Sequence, residues 1–450
     1  PQSSAASTAF FERAQYRRSA GMPAEALADY AQVVELFPSS YLAPTALRER
    51  AKIYEETGNS QEYAQYERIL GEYPRHPLAF SSVMYWGVKL YRSGEYAGAR
   101  GAFEKLLDAE LDPHANADAA FWIAKCNIAE GKTNLARVQL AGIIKRFKAS
   151  HQEFRARSIL KTLAEVGSMY SQEKAADWQK LLAFDRRPFV SFEIGSAENA
   201  YAMVDKESAH LERQALDRLG FLMMNHLPEA KWELERVSRK SSGTNARYAI
   251  AWALFEAQAY NRAIKVASSV EHRLDEEPRA TRVQYLMYPA AYPDMVRAAA
   301  TRYNIDPMLS LAVMREESHF REDTISPSEA RGLMQIIPPT GEWLAGKVFG
   351  PARFDRTLLF RPQFNIELGT YYLRYLLDRF DNNIVLAIAA YNWGEGHLER
   401  WLGNSPPGDL DAFIESIPAE ETRNYVKKVL RSYSVYHSLY PTDYFAEAGS

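Results

Sequence analysis

The 450-residue chain has a single cysteine, Cys126. An internal disulfide framework is thereby excluded, and so is a cysteine-rich metal centre. Cys126 itself is expected to be a small buried hydrophobe within a helix. A strong charge of one sign is also missing: 54 Lys and Arg stand against 57 Asp and Glu, a formal net charge of -3. That balance carries no nucleic-acid signal and no polybasic membrane signal. Long hydrophobic runs are lacking too. The apolar stretch from Ile384 to Tyr391 falls far short of the roughly 18 residues a membrane-spanning helix needs. The first residue is Pro1 rather than Met, which predicts a processed product from which any signal peptide has gone. The missing signal therefore carries no information about the compartment.

What is there is ordinary in bulk and specific in detail. The hydrophobic share is 47% and the charged share 25%, typical of a soluble globular protein. The length is a soft prior for about three domains, with ample chain to bury large cores.

Helix-turn-helix periodicity fills the first part. Gly21, Gly58, Gly94 and Gly131 recur at intervals of roughly 37 residues, within the window of helical solenoid repeats. Five residues after each glycine stand Ala26, Tyr63, Ala99 and Ala136, and twelve after stand Val33, Leu70, Leu106 and Ile143. A glycine that ends one helix in a left-handed conformation, followed by an apolar stripe at helical spacing, explains both offsets. Pro38 and Pro74 close two of the second helices. The segment resembles tetratricopeptide-type repeats. The pattern weakens after about Phe147, Phe189 to Ile194 reads as a connector, and the offsets return around Gln258 with Ala263 and Val270. Such pairs stack into a superhelix because none buries its apolar face alone. Tyr85, Trp86, Tyr91 and Trp122 are expected to be inter-helix packing. The superhelix is a scaffold, or its curved face guides a polymer or a protein partner. The expected division is repeats over 1–165, continued superhelix and linker over 166–280, and a separate α domain over 281–440.

Charged residues cluster from Arg273 to Arg279 with Pro278 among them, and Tyr285 to Asn304 then reads as an amphipathic lead-in helix. Asp306-Pro307 is a helix start, with an N-cap side chain followed by proline at the first position. The helix Met308 to Phe320 is apolar until Glu316 and Glu317. A carboxyl group partly desolvated at the mouth of a cleft has a raised pKa and can donate a proton to a leaving oxygen, as cleavage of a glycosidic bond requires. A helical wheel places Glu316 nearer the centre of the stripe made by Leu309, Ala312, Val313 and Phe320. Since the helix is apolar over most of its circumference, the wheel discriminates weakly between the two glutamates.

Arg315-Glu316-Glu317-Ser318, Ser326-Pro327, Gly332-Leu333-Met334-Gln335-Ile336 and Pro338 together resemble the catalytic core of soluble lytic transglycosylases. Later landmarks follow in order: Asn365-Ile366 with Gly369 and Tyr372-Leu373; Ala390-Tyr391-Asn392 with Gly394 and Gly396; Glu415 with Ile417-Pro418; and Glu421-Thr422-Arg423 with Tyr425-Val426. The resemblance implies a mainly α protein, an α-superhelix of helix pairs followed by a lysozyme-like α domain. It implies action on peptidoglycan glycan strands in the periplasm. By the motif Glu317 is the catalytic residue, and Glu316 becomes a solvated or helix-capping neighbour.

The family mechanism uses one acid. It protonates the oxygen leaving muramic acid, then as a base activates the C6 hydroxyl of that sugar and closes a 1,6-anhydro ring. No metal and no cofactor are implied. Ser326, Gln335, Tyr391, Asn392 and Glu415 match positions that contact substrate, whereas Arg423 and Tyr425 are expected to organise the last helix. Asp323 and Glu329 read as loop charges rather than as a second acid. Cell-wall synthesis or divisome proteins are the partners implied for the repeats. Ile337, Trp393 and Glu329 depart from the family pattern, and Glu329 is positioned to repel an anionic strand or to perturb Glu317. The rival readings are a hydrolase on the same fold and a non-catalytic glycan binder.

Overall fold

A computed structural model describes residues 4–109, 113–147, 150–166, 244–271, 279–350, 354–403, 409–441 and 444–445. The expected connector at Phe189 to Ile194 lies outside these residues. Helices dominate, and the only β pairing among the described residues is a pair of isolated bridges, Ile325 with Arg331 and Arg331 with Ile336. The chain divides into two compact units, one of residues 1–183 with 404–423 and one of 184–403 with 424–450.

In the first unit, α1 (Ser4–Ser19) and α2 (Pro23–Leu36), α3 (Ala43–Glu56) and α4 (Glu62–Glu72), α5 (Pro77–Arg92) and α6 (Tyr96–Asp108), and α7 (Pro113–Ala129) and α8 (Thr133–Arg146) form successive hairpins, followed by α9 (His151–Val166). The four periodic glycines sit in the turns, all with positive φ between 66° and 84°. Ala26, Ala99 and Ala136 are fully buried, as are Val33, Leu106 and Ile143 to within 2%. Tyr63 is the outlier of its set: it is half-buried, and its ring stacks on Trp86 at 5.3 Å. Trp122 is buried against Phe103 and Tyr91, so the expected packing role holds there. Tyr85, by contrast, is 42% exposed. Cys126 is buried on α7, and burial pushes its thiol up to about 12.

The first unit also holds α19, a short helix late in the chain, spanning Leu410–Ser416. Asp409 caps α19 by accepting from Ala412 N at 2.9 Å. Asp411, on α19, lies between Lys125 Nζ at 3.0 Å and Arg155 Nε at 2.7 Å, with Lys125 and Arg155 each 1% exposed. Burial opposes charge on Asp411, yet the two cations outweigh it and hold its carboxyl far below the usual range.

In the second unit, α10 (Thr244–Glu256) and α11 (Tyr260–Ser268) reproduce the repeat offsets, with Gln258 taking the glycine's left-handed place at φ 55° and Ala263 and Val270 fully buried. The lead-in helix expected from Tyr285 to Asn304 is in fact two: α12 (Arg279–Met287) and α13 (Pro293–Tyr303). Pro289 and Pro293 supply no N–H donors, and Tyr292 between them is left-handed at φ 51°, so one continuous helix is impossible. Then come α14 (Pro307–Ser318), α15 (Pro338–Phe349), a 3-10 turn (Arg356–Phe360), α16 (Pro362–Arg379), α17 (Ile384–Trp393), α18 (Glu395–Leu402) and α20 (Glu420–Leu439). The division between the units falls within the first turn or so of α20, after Arg423.

Candidate active site

α14 begins as its sequence dictates. Asp306 accepts from Met308 N at 2.9 Å, and Pro307 occupies the first turn without a donor to satisfy. Its run from Met308 to Arg315 is buried, so the helix is a rigid support whose last turn carries Glu316 and Glu317. His319 ends it in a left-handed conformation at φ 49°.

The two glutamates have different surroundings. The Glu316 side chain is 6% exposed and pairs with Arg315, itself 5% exposed; it also accepts from Ser432 on α20. The Arg315 guanidinium lies 4.0 Å over the Tyr288 ring and donates to Met287 O at 3.0 Å. Burial opposes the charge on Glu316, but Arg315 and Ser432 overcome it and hold the carboxyl below its ordinary range. The expectation of a solvated or capping Glu316 is therefore corrected. The wheel correctly found the buried carboxylate, and its burial is compensated by a cation. Glu317 is half-buried, and its Oε1 accepts from the Tyr425 hydroxyl at 2.6 Å. Burial, then the negative Glu317, push the Tyr425 phenol well above its usual range, and the same two causes act on Tyr391. Both phenols thus remain donors, Tyr425 to Glu317 and Tyr391 to Met334 O.

α20 holds α14 at both ends. Tyr425 meets Glu317, Ser432 meets Glu316, and Tyr433 and His437 meet Asp306 Oδ2 at 2.6 and 2.7 Å. The two helices therefore run antiparallel.

The loop after α14 is knitted by buried amides. Asn365 is fully buried; its Oδ1 accepts from Met334 N at 2.7 Å, and its Nδ2 donates to Arg331 O and Leu359 O at 2.9 and 2.8 Å. Gly332 has φ 76°, and a Cβ there would lie 2.1 Å from Leu359 O, so the position demands glycine on two counts. Ser318 Oγ donates to Leu333 O at 2.8 Å, and Tyr391 Oη donates to Met334 O at 2.8 Å. The segment Leu333-Met334 is thus held from α14, α16 and α17 at once.

The site residues expected from sequence divide accordingly. Ser326 Oγ accepts from Ser328 N and Ala330 N at 3.2 and 3.1 Å, shaping the loop. Gln335, left-handed at φ 48°, donates through Nε2 to Gly332 O and Thr324 O at 2.8 and 3.2 Å. Tyr391 lies beside Glu317, and Asn392 follows it near the end of α17. Glu415 sits on α19 in the first unit, with its carboxylate 3.9 Å from Arg423 Nε. Arg423 donates to Ile417 O at 3.0 Å and organises the turn before α20 as expected. Tyr425 was expected to do the same, and it instead contacts the catalytic candidate. Of the departures, Glu329 is left-handed at φ 63°, which accounts for a glycine being usual there, and its carboxylate pairs with Arg331 at 2.9 Å. Trp393 stacks on His397 with rings 6.3 Å apart and tilts against Trp401 at 6.0 Å. Ile337 is 41% exposed at the start of α15.

A helical-repeat unit and an α domain that brings a glutamate, two phenols and an amide-knitted loop together define the class. Residues 11–77 and 86–145 match the tetratricopeptide repeat family, and residues 294–413 match the transglycosylase SLT domain family. The chain thus joins segments that match tetratricopeptide repeats to a later segment that matches the SLT domain. Its relatives include the soluble lytic murein transglycosylase of Escherichia coli K12, 39% identical over 158 residues, covering 35% of this chain and 24% of that protein. The soluble lytic murein transglycosylase of Salmonella typhimurium is 41% identical over 152 residues, covering 33% of this chain and 23% of that protein. These matches span about a quarter of the relatives' length. The solved 70-kDa soluble lytic transglycosylase with bulgecin A superposes with a TM-score of 0.65 at 22% identity, over 97% of this chain and 64% of that one. That likeness concerns the fold.

Proposed function

We propose that the protein is a periplasmic peptidoglycan lytic transglycosylase that cuts the β-1,4 bond from N-acetylmuramic acid to N-acetylglucosamine without water. The observation that carries this reading is the half-buried Glu317 at the end of a rigid helix, with its carboxylate fixed by Tyr425. The nearby acids are engaged elsewhere: Glu316 pairs with Arg315, Asp323 with Arg321 at 3.1 Å and Glu329 with Arg331 at 2.9 Å, while Glu322 accepts from the Tyr292 hydroxyl at 2.7 Å. A single acid that acts twice fits this set better than the paired carboxylates of a hydrolase.

Protonated Glu317 gives its proton to the glycosidic oxygen as the bond to C1 of muramic acid breaks. The sugar's own N-acetyl oxygen stabilises the cation. Glu317, now ionised, takes the proton of the C6 hydroxyl, and O6 closes onto C1. The proton returns to where it began, and the products are a free 4-hydroxyl and a 1,6-anhydro end. Ser326, Gln335, Tyr391 and Asn392 form the wall against which the acetamido groups are placed.

Mass spectrometry of muropeptides released from purified sacculi tests the reading. Wild type is expected to yield ends lighter by one water than reducing ends, and Glu317→Gln to lose at least about a hundredfold in rate. Reducing ends from wild type would make the protein a hydrolase. Near-normal turnover by Glu317→Gln would remove Glu317 from the mechanism.

A further inference from the structure

Tyr391, beside Glu317, is the inner end of a chain of rings that reaches the surface of the second unit. Its ring lies 5.3 Å from Tyr372. Tyr372 in turn meets Trp343 edge-on at 6.3 Å and stacks on Tyr375 at 6.1 Å. Trp343 and Tyr375 are edge to face at 5.0 Å. Trp343 is 38% exposed on α15. A lone exposed aromatic needs no explanation, so exposure is not what sets this group apart.

Its rings are locked by charged groups. Tyr372 Oη donates to Glu395 Oε2 at 2.8 Å. Arg379 grips Glu399 with two parallel bonds, Nε to Oε1 at 2.6 Å and Nη2 to Oε2 at 3.0 Å. The same guanidinium donates through Nη1 to Tyr375 Oη at 3.3 Å. Arg379 and Glu399 are 39% and 41% exposed, so their remaining hydrogen-bonding capacity faces water. A surface ion pair adds little stability, but here it fixes a ring in place. Rigid aromatic faces rimmed by planar, bidentate polar groups suit a ligand with an apolar face and a belt of hydroxyls. A pyranose ring has that character.

We propose that Trp343 and Tyr375, held by Arg379, Glu399 and Glu395, form an outer saccharide subsite for an N-acetylated sugar of the glycan strand being cut at Glu317. This rests on the reading of the SLT domain as a glycan-cleaving enzyme. The sugar packs its apolar face on Trp343, and its hydroxyls meet the exposed Arg379–Glu399 pair. Ordering these groups before the ligand arrives removes an entropic cost of binding.

The test measures binding, so that it does not depend on turnover. Full-length Glu317→Gln is titrated with naked glycan strands, with peptide-bearing strands and with the shortest oligosaccharide that spans the Glu317 site. Adding Trp343→Ala is expected to weaken binding of both long strands by about three- to tenfold, the size of an aromatic stacking contact, and to leave the short oligosaccharide unchanged. Trp343→Phe should restore most of the loss. Glu399→Gln, which frees Arg379 and Tyr375 without entering the core, should give a smaller loss of the same selectivity. Unchanged binding of long strands by Trp343→Ala overturns the subsite, and so does an equal loss on the short oligosaccharide, which marks a structural role. A loss confined to peptide-bearing strands assigns the surface to the stem peptide and overturns it as well. Failure of the enzymatic reading shows elsewhere, in the products of the wild type.

Discussion

Left-handed backbone serves the two units in different ways. In the repeats it falls on Gly21, Gly58, Gly94 and Gly131, and a Cβ at any of them would meet nothing within 4 Å. Glycine is there only for conformation. In the second unit the left-handed positions include Tyr292, His319, Phe320, Glu329 and Gln335, which carry large side chains, and Gly332, where a Cβ has no room. There the unfavourable backbone, of order 1–3 kcal/mol at such a residue, sets side chains and a loop around Glu317. The four glycine turns of the first unit use backbone conformation alone, whereas the turns of the second unit also position side chains.

Both units bury compensated charge, and the cluster in the first gives the largest expected effect. Asp411→Asn leaves Lys125 and Arg155 buried against a neutral partner and should cost about 3–5 kcal/mol in chemical denaturation. Asp411 is depressed in the folded state, so its contribution is present above an unfolded value of about 3.9. It fades as pH falls toward the lower folded value. The variant should therefore lose stability at neutral pH and show a flatter acid limb; a limb as steep as that of wild type would assign the acid sensitivity to other carboxylates, Asp306 among them.

Gly332→Ala should follow at about 3 kcal/mol or more, since both conformation and space forbid it, with lytic activity falling alongside the melting temperature. Gly94→Ala carries the conformational cost alone, about 1–2 kcal/mol, and should leave activity at its wild-type level. Equal effects of the two would erase the distinction between the units' turns. Smallest in its effect on stability is Tyr425→Phe, which keeps the buried ring and removes one donor to Glu317. A loss of about 1.5–3 kcal/mol in transition-state stabilisation, the worth of a hydrogen bond to a charged group, is expected in kcat with the melting temperature nearly unchanged; an effect on stability alone would return Tyr425 to the structural role expected from sequence.

Much of this was legible in the chain. The repeats showed because their glycines and apolar offsets are local and periodic, and the pattern held even at Gln258, where no glycine marks the turn. The start of α14 was readable from Asp306-Pro307 alone. The break in the lead-in helix is masked in sequence by an amphipathic stripe that runs on through Pro289 and Pro293. The choice between Glu316 and Glu317 needed the motif, since burial marks a compensated ion as readily as a reactive acid. Tyr425 was missed as a partner of Glu317 because 108 residues separate them, and no spacing rule reaches that far. The placing of α19 with the first unit was hidden for the same reason: Lys125 and Arg155 lie more than 250 positions before Asp411.

The antiparallel clasp between α14 and α20 has a consequence for how this sequence can vary. Tyr425 and Ser432 are seven residues apart, two helical turns, and His437 follows five later. Each α-helical residue advances by about 100°. Deleting one residue between Tyr425 and Tyr433 would swing one set of partners a quarter-turn out of line while the other stayed fixed. Substitutions along the outer face of α20 are cheap, but its count of residues is not free to change. The helix works as a measuring rod graduated in residues, and Glu317 is set against its first mark.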